Sequence, residues 1–227
     1  ITWHMAGPND LGGRTRALAF DQDNPNTILA GGVSGGMWKS TDGGSTWQLK
    51  TDPNQNMSVT SVAQDPTNTD TWYYATGEFR GNTASDRGGT ASYYGTGIYK
   101  STDNGESWSR LTATADTDAG WNSQFDFISR VVVNPINGDV YFAANGFGVF
   151  KSSDGGTSFN LVLGSSGGYS YVDVIVNQNG DLLAALSENT AGGTQSEDPG
   201  IYRSTDNGNS WNDVTPADFP ATHDRTY

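Results

Sequence analysis

One eight-residue phrase occurs four times in this chain: Ser40-Thr41-Asp42-Gly43-Gly44-Ser45-Thr46-Trp47, then Ser101 to Trp108, Ser152 to Phe159 and Ser204 to Trp211. From aspartate to aspartate the steps are 61, 51 and 52 residues. A unit of that length cannot bury its own apolar face. It must stack on copies of itself, radially as in a propeller or linearly as in a solenoid.

The phrase has the chemistry of a turn. An apolar-aromatic run enters each copy (Met37-Trp38-Lys39, Ile98-Tyr99-Lys100, Val149-Phe150-Lys151, Ile201-Tyr202-Arg203), and an aromatic followed by aliphatic residues leaves it. Strand, polar turn, strand is the hairpin pattern. Within the turn Asp42, Asp103, Asp154 and Asp206 can accept from backbone N–H groups just ahead of them. Gly44, Gly105, Gly156 and Gly208 can take a positive φ at no steric cost. The closing aromatics Trp47, Trp108, Phe159 and Trp211 are suited to filling space between sheets. These twelve residues are therefore assigned to structure, and four aspartates do not make four active sites.

The flanking sequence parses into four-stranded units. Blade one covers 14–50, blade two 58–112, blade three 126–163 and blade four 170–215, with matched turns at Asp21, Asp65, Asn134 and Asn177 after each inner strand. No stretch carries a helical period, so the fold class is all-β, a β-propeller of antiparallel blades with the repeated hairpin joining third and fourth strands. Residues 1–5 read as a ring-closing outer strand and 222–227 as the start of a further blade, which makes this one propeller segment of a partial ring.

The S/T-x-D-x-G-x-x-W/F phrase resembles the Asp-box (BNR) repeat of sialidases, xyloglucan-degrading glycosidases, sortilin-type receptors and photosystem assembly factors. The opening Trp3…Gly7-Pro8-Asn9…Gly12-Gly13-Arg14-Thr15-Arg16, with Gly31-Gly32-Val33-Ser34-Gly35-Gly36, is similar to large secreted bacterial propellers labelled glycosyl hydrolase by similarity. The resemblance implies a bacterial protein that is extracellular, secreted or at the cell surface. In some relatives export runs through type IX secretion and cell-surface machinery that reads a C-terminal sorting domain.

Composition narrows the partners. A net charge of −13 argues against nucleic acid, whose phosphates need clustered Lys and Arg. Cysteine is absent, so neither disulfides nor thiolate metal sites can form. No apolar run is long enough to insert into a bilayer.

Strand order puts the aspartate hairpins and the first-to-second turns on one face and the irregular loops on the other. That second face is where a glycan or protein ligand is expected, because variable loops on a rigid scaffold usually carry binding. Trp121, Phe79, Tyr93 and Tyr94 form a candidate aromatic platform for a sugar ring, with Glu78, Asp86 and Glu188 as candidate hydroxyl-binding carboxylates. The alternative role for these aromatics is to pin down their own long loops.

Catalysis has no equally clear signature. Glycoside hydrolysis needs two carboxylates facing one another across a bond. Glu78, Asp86, Asp116, Asp118, Glu188, Glu197 and Asp198 include no pair singled out by spacing, so the catalytic residues are unknown. The Arg-Ile-Pro start and arginine triad of sialidases are missing, and Val33-Ser34 stand where xyloglucan-degrading enzymes carry an aspartate. Arg130 aligns opposite Asp173 on neighbouring inner strands, which predicts a cross-blade ion pair. No cofactor is expected apart from a calcium candidate at Asp116 and Asp118, whose segment opens like a calcium loop but lacks the twelfth-position glutamate. His4 and His223 make no zinc motif. The leading function is a binding module that uses the loop face. The alternatives are a glycosidase whose carboxylates lie partly outside this segment, and a rigid cargo or scaffold domain.

Overall fold

A computed structural model of the chain describes residues 14–81, 91–116, 120, 123–165, 171–187 and 199–219. These fold into four four-stranded antiparallel sheets, a small two-stranded sheet and one three-residue 3₁₀ turn at Thr112–Thr114, with no α-helix among the described residues.

The first sheet orders β1 (Thr15–Phe20), β2 (Ile28–Gly32), β3 (Gly36–Ser40) and β4 (Gln48–Leu49) from inside to outside. In the second, β5 (Val59–Gln64) and β6 (Trp72–Thr76) are followed in the chain by the added hairpin β7 (Glu78–Gly81) and β8 (Ala91–Tyr93). The sheet then resumes with β9 (Ile98–Ser101) and β10 (Ser109–Arg110). The third holds β11 (Ile128–Val133), β12 (Val140–Ala144), β13 (Gly148–Ser152) and β14 (Asn160–Gly164). The fourth holds β15 (Val172–Val176), β16 (Leu182–Leu186), β17 (Gly200–Ser204) and β18 (Asn212–Asp213). Each first strand touches the first strand of the next sheet, so β1, β5, β11 and β15 line a common axis.

The core lies between sheets. Ala17, Leu29 and Met37 of blade one meet Val59, Trp72 and Tyr74 of blade two. Tyr73, Ala75 and Ile98 of blade two meet Val131, Val140 and Phe142 of blade three. Tyr141, Ala143 and Val149 of blade three meet Val174, Leu182 and Ala184 of blade four. Burial of such side chains is worth about 1.5–3 kcal/mol each, so the seams hold the arc together. Gly31 shows how close they are, because a Cβ there would sit 2.4 Å from a methyl of Val59.

Bulges add polar links near the axis. The β5/β6 and β11/β12 registers slip at Thr60 and Ser129. The freed hydroxyls donate to backbone carbonyls of the following blade, Thr60 to Ile128 (2.6 Å) and Ser129 to Val172. The outward flanks differ. Leu18 and Phe20 on β1, and Ile175 and Leu183 on blade four, are exposed, as befits an arc of a ring.

The four-stranded antiparallel sheets agree with the fold class read from the sequence, while the β7–β8 hairpin lies where the sequence reading has only irregular loops. Residues 1–5 and 222–227, and with them the expected closing strand and further blade, lie outside the described residues.

Candidate functional site

The four aspartate turns share one geometry. Asp42 Oδ1 accepts from the Thr46 N–H (2.8 Å) and from the Ser40 hydroxyl (2.8 Å), and Oδ2 accepts from the Thr46 hydroxyl (2.7 Å). The same three bonds recur around Asp103, Asp154 and Asp206. Donations from Thr46 hold Asp42 down to about 2 from an ordinary 3.8, and donations from Ser210 do the same for Asp206. Asp154 is also lowered, led by Ser158. At Asp103 desolvation is the largest single influence and pushes upward, yet Ser101 and Ser107 together bring it to about 2. Each of these carboxylates accepts three bonds from its own turn, and those bonds favour its charged form.

Both residues after each aspartate are left-handed: Gly43 and Gly44, Asn104 and Gly105, Gly155 and Gly156, Asn207 and Gly208. Only Gly and Asn enter that region routinely. Where Asn stands first, it reaches the preceding blade. Asn104 Nδ2 donates across the seam to Asp21 (2.7 Å), and its Oδ1 accepts from Trp72 Nε1 of its own blade (3.0 Å). Asn207 Nδ2 donates to Asp139 (2.6 Å) and its Oδ1 accepts from the Tyr141 hydroxyl (2.7 Å) and Asn134 Nδ2 (3.0 Å). These contacts tie the aspartate turns and the first-to-second turns to one face.

The opposite face is organised by the β7–β8 hairpin. Gly77, at φ +97, starts it where a Cβ would lie 1.9 Å from the Asp126 carbonyl oxygen. Glu78 differs from the open carboxylate expected of it. Its side chain is 0% exposed and is ion-paired to Arg14 and, at 2.5 Å, to Arg16 on blade one's inner strand. A carboxylate buried this deeply needs such partners. Phe79 packs edge-on against Phe127 (5.2 Å) and Tyr171 (5.6 Å), and Tyr94 lies 5.2 Å from Phe127. The hairpin therefore spans from blade one's arginines to the residue leading into blade four's inner strand. Tyr93 pairs across from Glu78 and is 46% exposed.

Of the sequence candidates, Glu78, Phe79, Tyr93 and Tyr94 are brought together, while Trp121, Asp86, Glu188 and Asp118 lie outside the described residues, as do Glu197, Asp198, His4 and His223. Asp116 accepts from the Ser123 hydroxyl, and its carbonyl takes Arg110 Nη1 at 2.9 Å. Among the described residues no group of three or more His, Asp or Glu side chains is placed to hold a metal ion. Arg130 and Asp173 form the cross-blade pair at 2.5 and 2.8 Å. Sequence reasoning missed Arg14, Arg16, Phe127 and Tyr171 as members of this cluster. They come from blades one, three and four, and no local motif joins them.

Radial four-stranded sheets sharing one axis define the class, an arc of a β-propeller. No family model matches the chain. It is 27% identical over 237 residues to a xyloglucanase from Paenibacillus sp, covering 94% of this chain and 22% of that protein. An ancestral GH74 enzyme superposes with a TM-score of 0.66 at 23% identity, covering 94% of this chain and 26% of the other. YCF48 from Cyanidioschyzon merolae superposes with a TM-score of 0.58 at 14% identity, covering 92% of this chain and 58% of the other. The chain thus spans roughly a quarter of the length of the Paenibacillus xyloglucanase and of the ancestral GH74 enzyme. Among the described residues, no helix is long and apolar enough to cross a membrane.

Proposed function

We propose that this arc engages a plant-type β-glucan chain on its loop face, as a binding module of an exported bacterial protein. The observation that carries the reading is Tyr93, an exposed ring fixed on a hairpin whose other aromatics are packed inward. A sugar ring stacks on such a fixed face at little conformational cost. The likeness to a xyloglucanase supplies the ligand class. A glucan polymer that comes from outside does not cross a membrane, so a bacterial protein binding one would work outside the cell.

Binding is favoured over hydrolysis within this segment by how its carboxylates are used. Glu78 is held by two arginines, Asp126 accepts from the Ser123 N–H at 2.7 Å, and Asp116 takes the Ser123 hydroxyl. A hydrolase on this scaffold would need its acid and base from outside these residues.

Affinity electrophoresis in gels containing xyloglucan tests the reading. The chain should be retarded, and Tyr93→Ala and Trp121→Ala should each reduce retardation. Unretarded migration of the native chain would overturn it. Release of reducing sugar by the segment alone would replace the binding module with the enzyme.

A further inference from the structure

The third strand of each of the first three blades carries, one residue before its end, a lysine that reaches the aspartate turn of the next blade. Lys39 Nζ donates to the Asn104 carbonyl (2.6 Å), Lys100 to that of Gly155 (3.0 Å) and Lys151 to that of Asn207 (2.8 Å). Two of the three also have a carboxylate. Glu106 bridges Lys39 (2.7 Å) and Lys50 (2.6 Å), and Asp139 sits 3.1 Å from Lys151. Among the described residues Lys100 has none. Its amine lies 5.3 Å from the centre of the Tyr73 ring.

The reason lies in two replacements. Thr157 occupies in blade three the turn position that Glu106 holds in blade two, and its hydroxyl folds back to the Asp154 carbonyl (3.0 Å). Leu111 stands where blade one has Lys50. What Glu106 fills at the first seam is open at the second, as a groove of about 390 Å³ lined by Lys100, Leu111 and Thr157. That volume falls within the roughly 300–1,000 Å³ of small-molecule sites. Ser107, Ser109 and Thr112 supply hydroxyls along the wall.

We propose that this groove binds a uronic acid, whose carboxylate takes the place at Lys100 that the Glu106 carboxylate takes at Lys39. Lys100 donates to the carboxylate, and the serine and threonine hydroxyls pair with the ring hydroxyls. A charge-assisted donor of this kind gives the acid its advantage over the neutral sugar. The groove is built by the aspartate turns, so it is separate from the loop-face reading above and survives or fails independently of it.

Amide-resolved NMR titration of the native chain with glucuronate, and separately with glucose, tests the assignment. Glucuronate should shift the Ser107, Gly155 and Thr157 amides saturably, with glucose producing no comparable shift, and added salt should weaken the response. Lys100→Gln should weaken glucuronate about ten-fold, the loss of one charge-assisted bond. Thr157→Glu supplies an internal carboxylate in place of the ligand's, so it should abolish the response without lowering the thermal midpoint. Equal shifts from glucose, no shift from glucuronate, or undiminished binding by a folded Thr157→Glu chain would each overturn the proposal.

Discussion

The seam between blades one and two and the seam between blades two and three are built on the same strands and the same aspartate turn, yet they are closed differently. At the first, Asn104 anchors the turn across the seam to Asp21 while Glu106 bridges two lysines. At the second, Gly155 has no side chain to offer, Thr157 folds back on its own turn, and backbone acceptance from Lys100 and the Tyr73 hydroxyl remains. The apolar contacts are similar in kind. The difference teaches that the aspartate turn shapes the hairpin, and that the residue after the aspartate decides whether a side chain adds to the backbone contacts that fasten it to its neighbour. Asn and Gly alternate there because both tolerate the left-handed backbone, but only Asn carries hydrogen-bonding groups.

Acid should act on what the seams share, and its effect should be the largest. The turn aspartates have folded values below their unfolded value of 3.8, to about 2 for Asp42, Asp103 and Asp206. Groups lowered on folding contribute stability that is fully present above the unfolded value and is lost as pH falls through the folded one. Unfolding midpoints in urea should hold down to about pH 4 and then drop steeply toward pH 2. Hydrogen exchange at the Thr46, Ser107, Ser158 and Ser210 amides should quicken together over that interval. Loss of protection at one turn alone would mean that the four are not equivalent.

Next in size is removal of an asparagine staple. Asn207→Ala leaves the Tyr141 hydroxyl, Asn134 and Asp139 short of a partner and puts a Cβ-bearing residue without a local acceptor at φ 63. The cost should be about 3 kcal/mol by urea titration. Asn207→Gly relieves the backbone share and should cost about 1 kcal/mol less. The gap between the two variants measures how much of the staple is conformation and how much is hydrogen bonding.

The converse change breaks the comparison from the other side. Gly155→Asn places a Cβ 3.2 Å from Lys100 Nζ, the flexible end of a side chain that can yield. The new amide is then within reach of the Tyr73 hydroxyl, 3.8 Å from that Cβ, as Asn207 is of Tyr141. A gain of about 0.5–1 kcal/mol is expected, partly from fewer unfolded conformations. A loss would show that the second seam has no room for the staple.

How much of this could be read without coordinates follows the range of each interaction. The hairpins were legible because Asp42 and Thr46, or Ser101 and Asp103, are neighbours in the chain, and the blades because strand and turn signals recur with the phrase. Arg130 and Asp173 could be paired by aligning inner strands of adjacent repeats. Glu78 could not be placed, since its partners Arg14 and Arg16 lie more than sixty residues upstream on another blade and the hairpin carrying it occurs once. The double role of Asn104 and Asn207 was hidden for a different reason. A residue that fits a turn gives no sign in sequence that its side chain also crosses a seam.

The smallest effect should come from Glu106→Gln, and its size says what the groove at the second seam lacks. Glu106 is half exposed while Lys39 and Lys50 are buried to 6% and 14%, so its pairs are screened on the solvent side. Hydrogen bonds from Lys39 and then Lys50 hold its carboxyl below the ordinary 4.5. Its contribution is therefore present above about pH 4.5 and fades as pH falls through the lower folded value. Discounted for solvent, the substitution should cost about 0.5 kcal/mol at neutral pH and nearly nothing in high salt. Lys39 keeps the Asn104 carbonyl at 2.6 Å in either case, just as Lys100 keeps that of Gly155. A cost well above that estimate would mean that a lysine at a seam requires a carboxylate, and Lys100 would then be the strained exception. A cost near it means that backbone acceptance suffices, leaving the amine at the second seam free to recruit an outside anion.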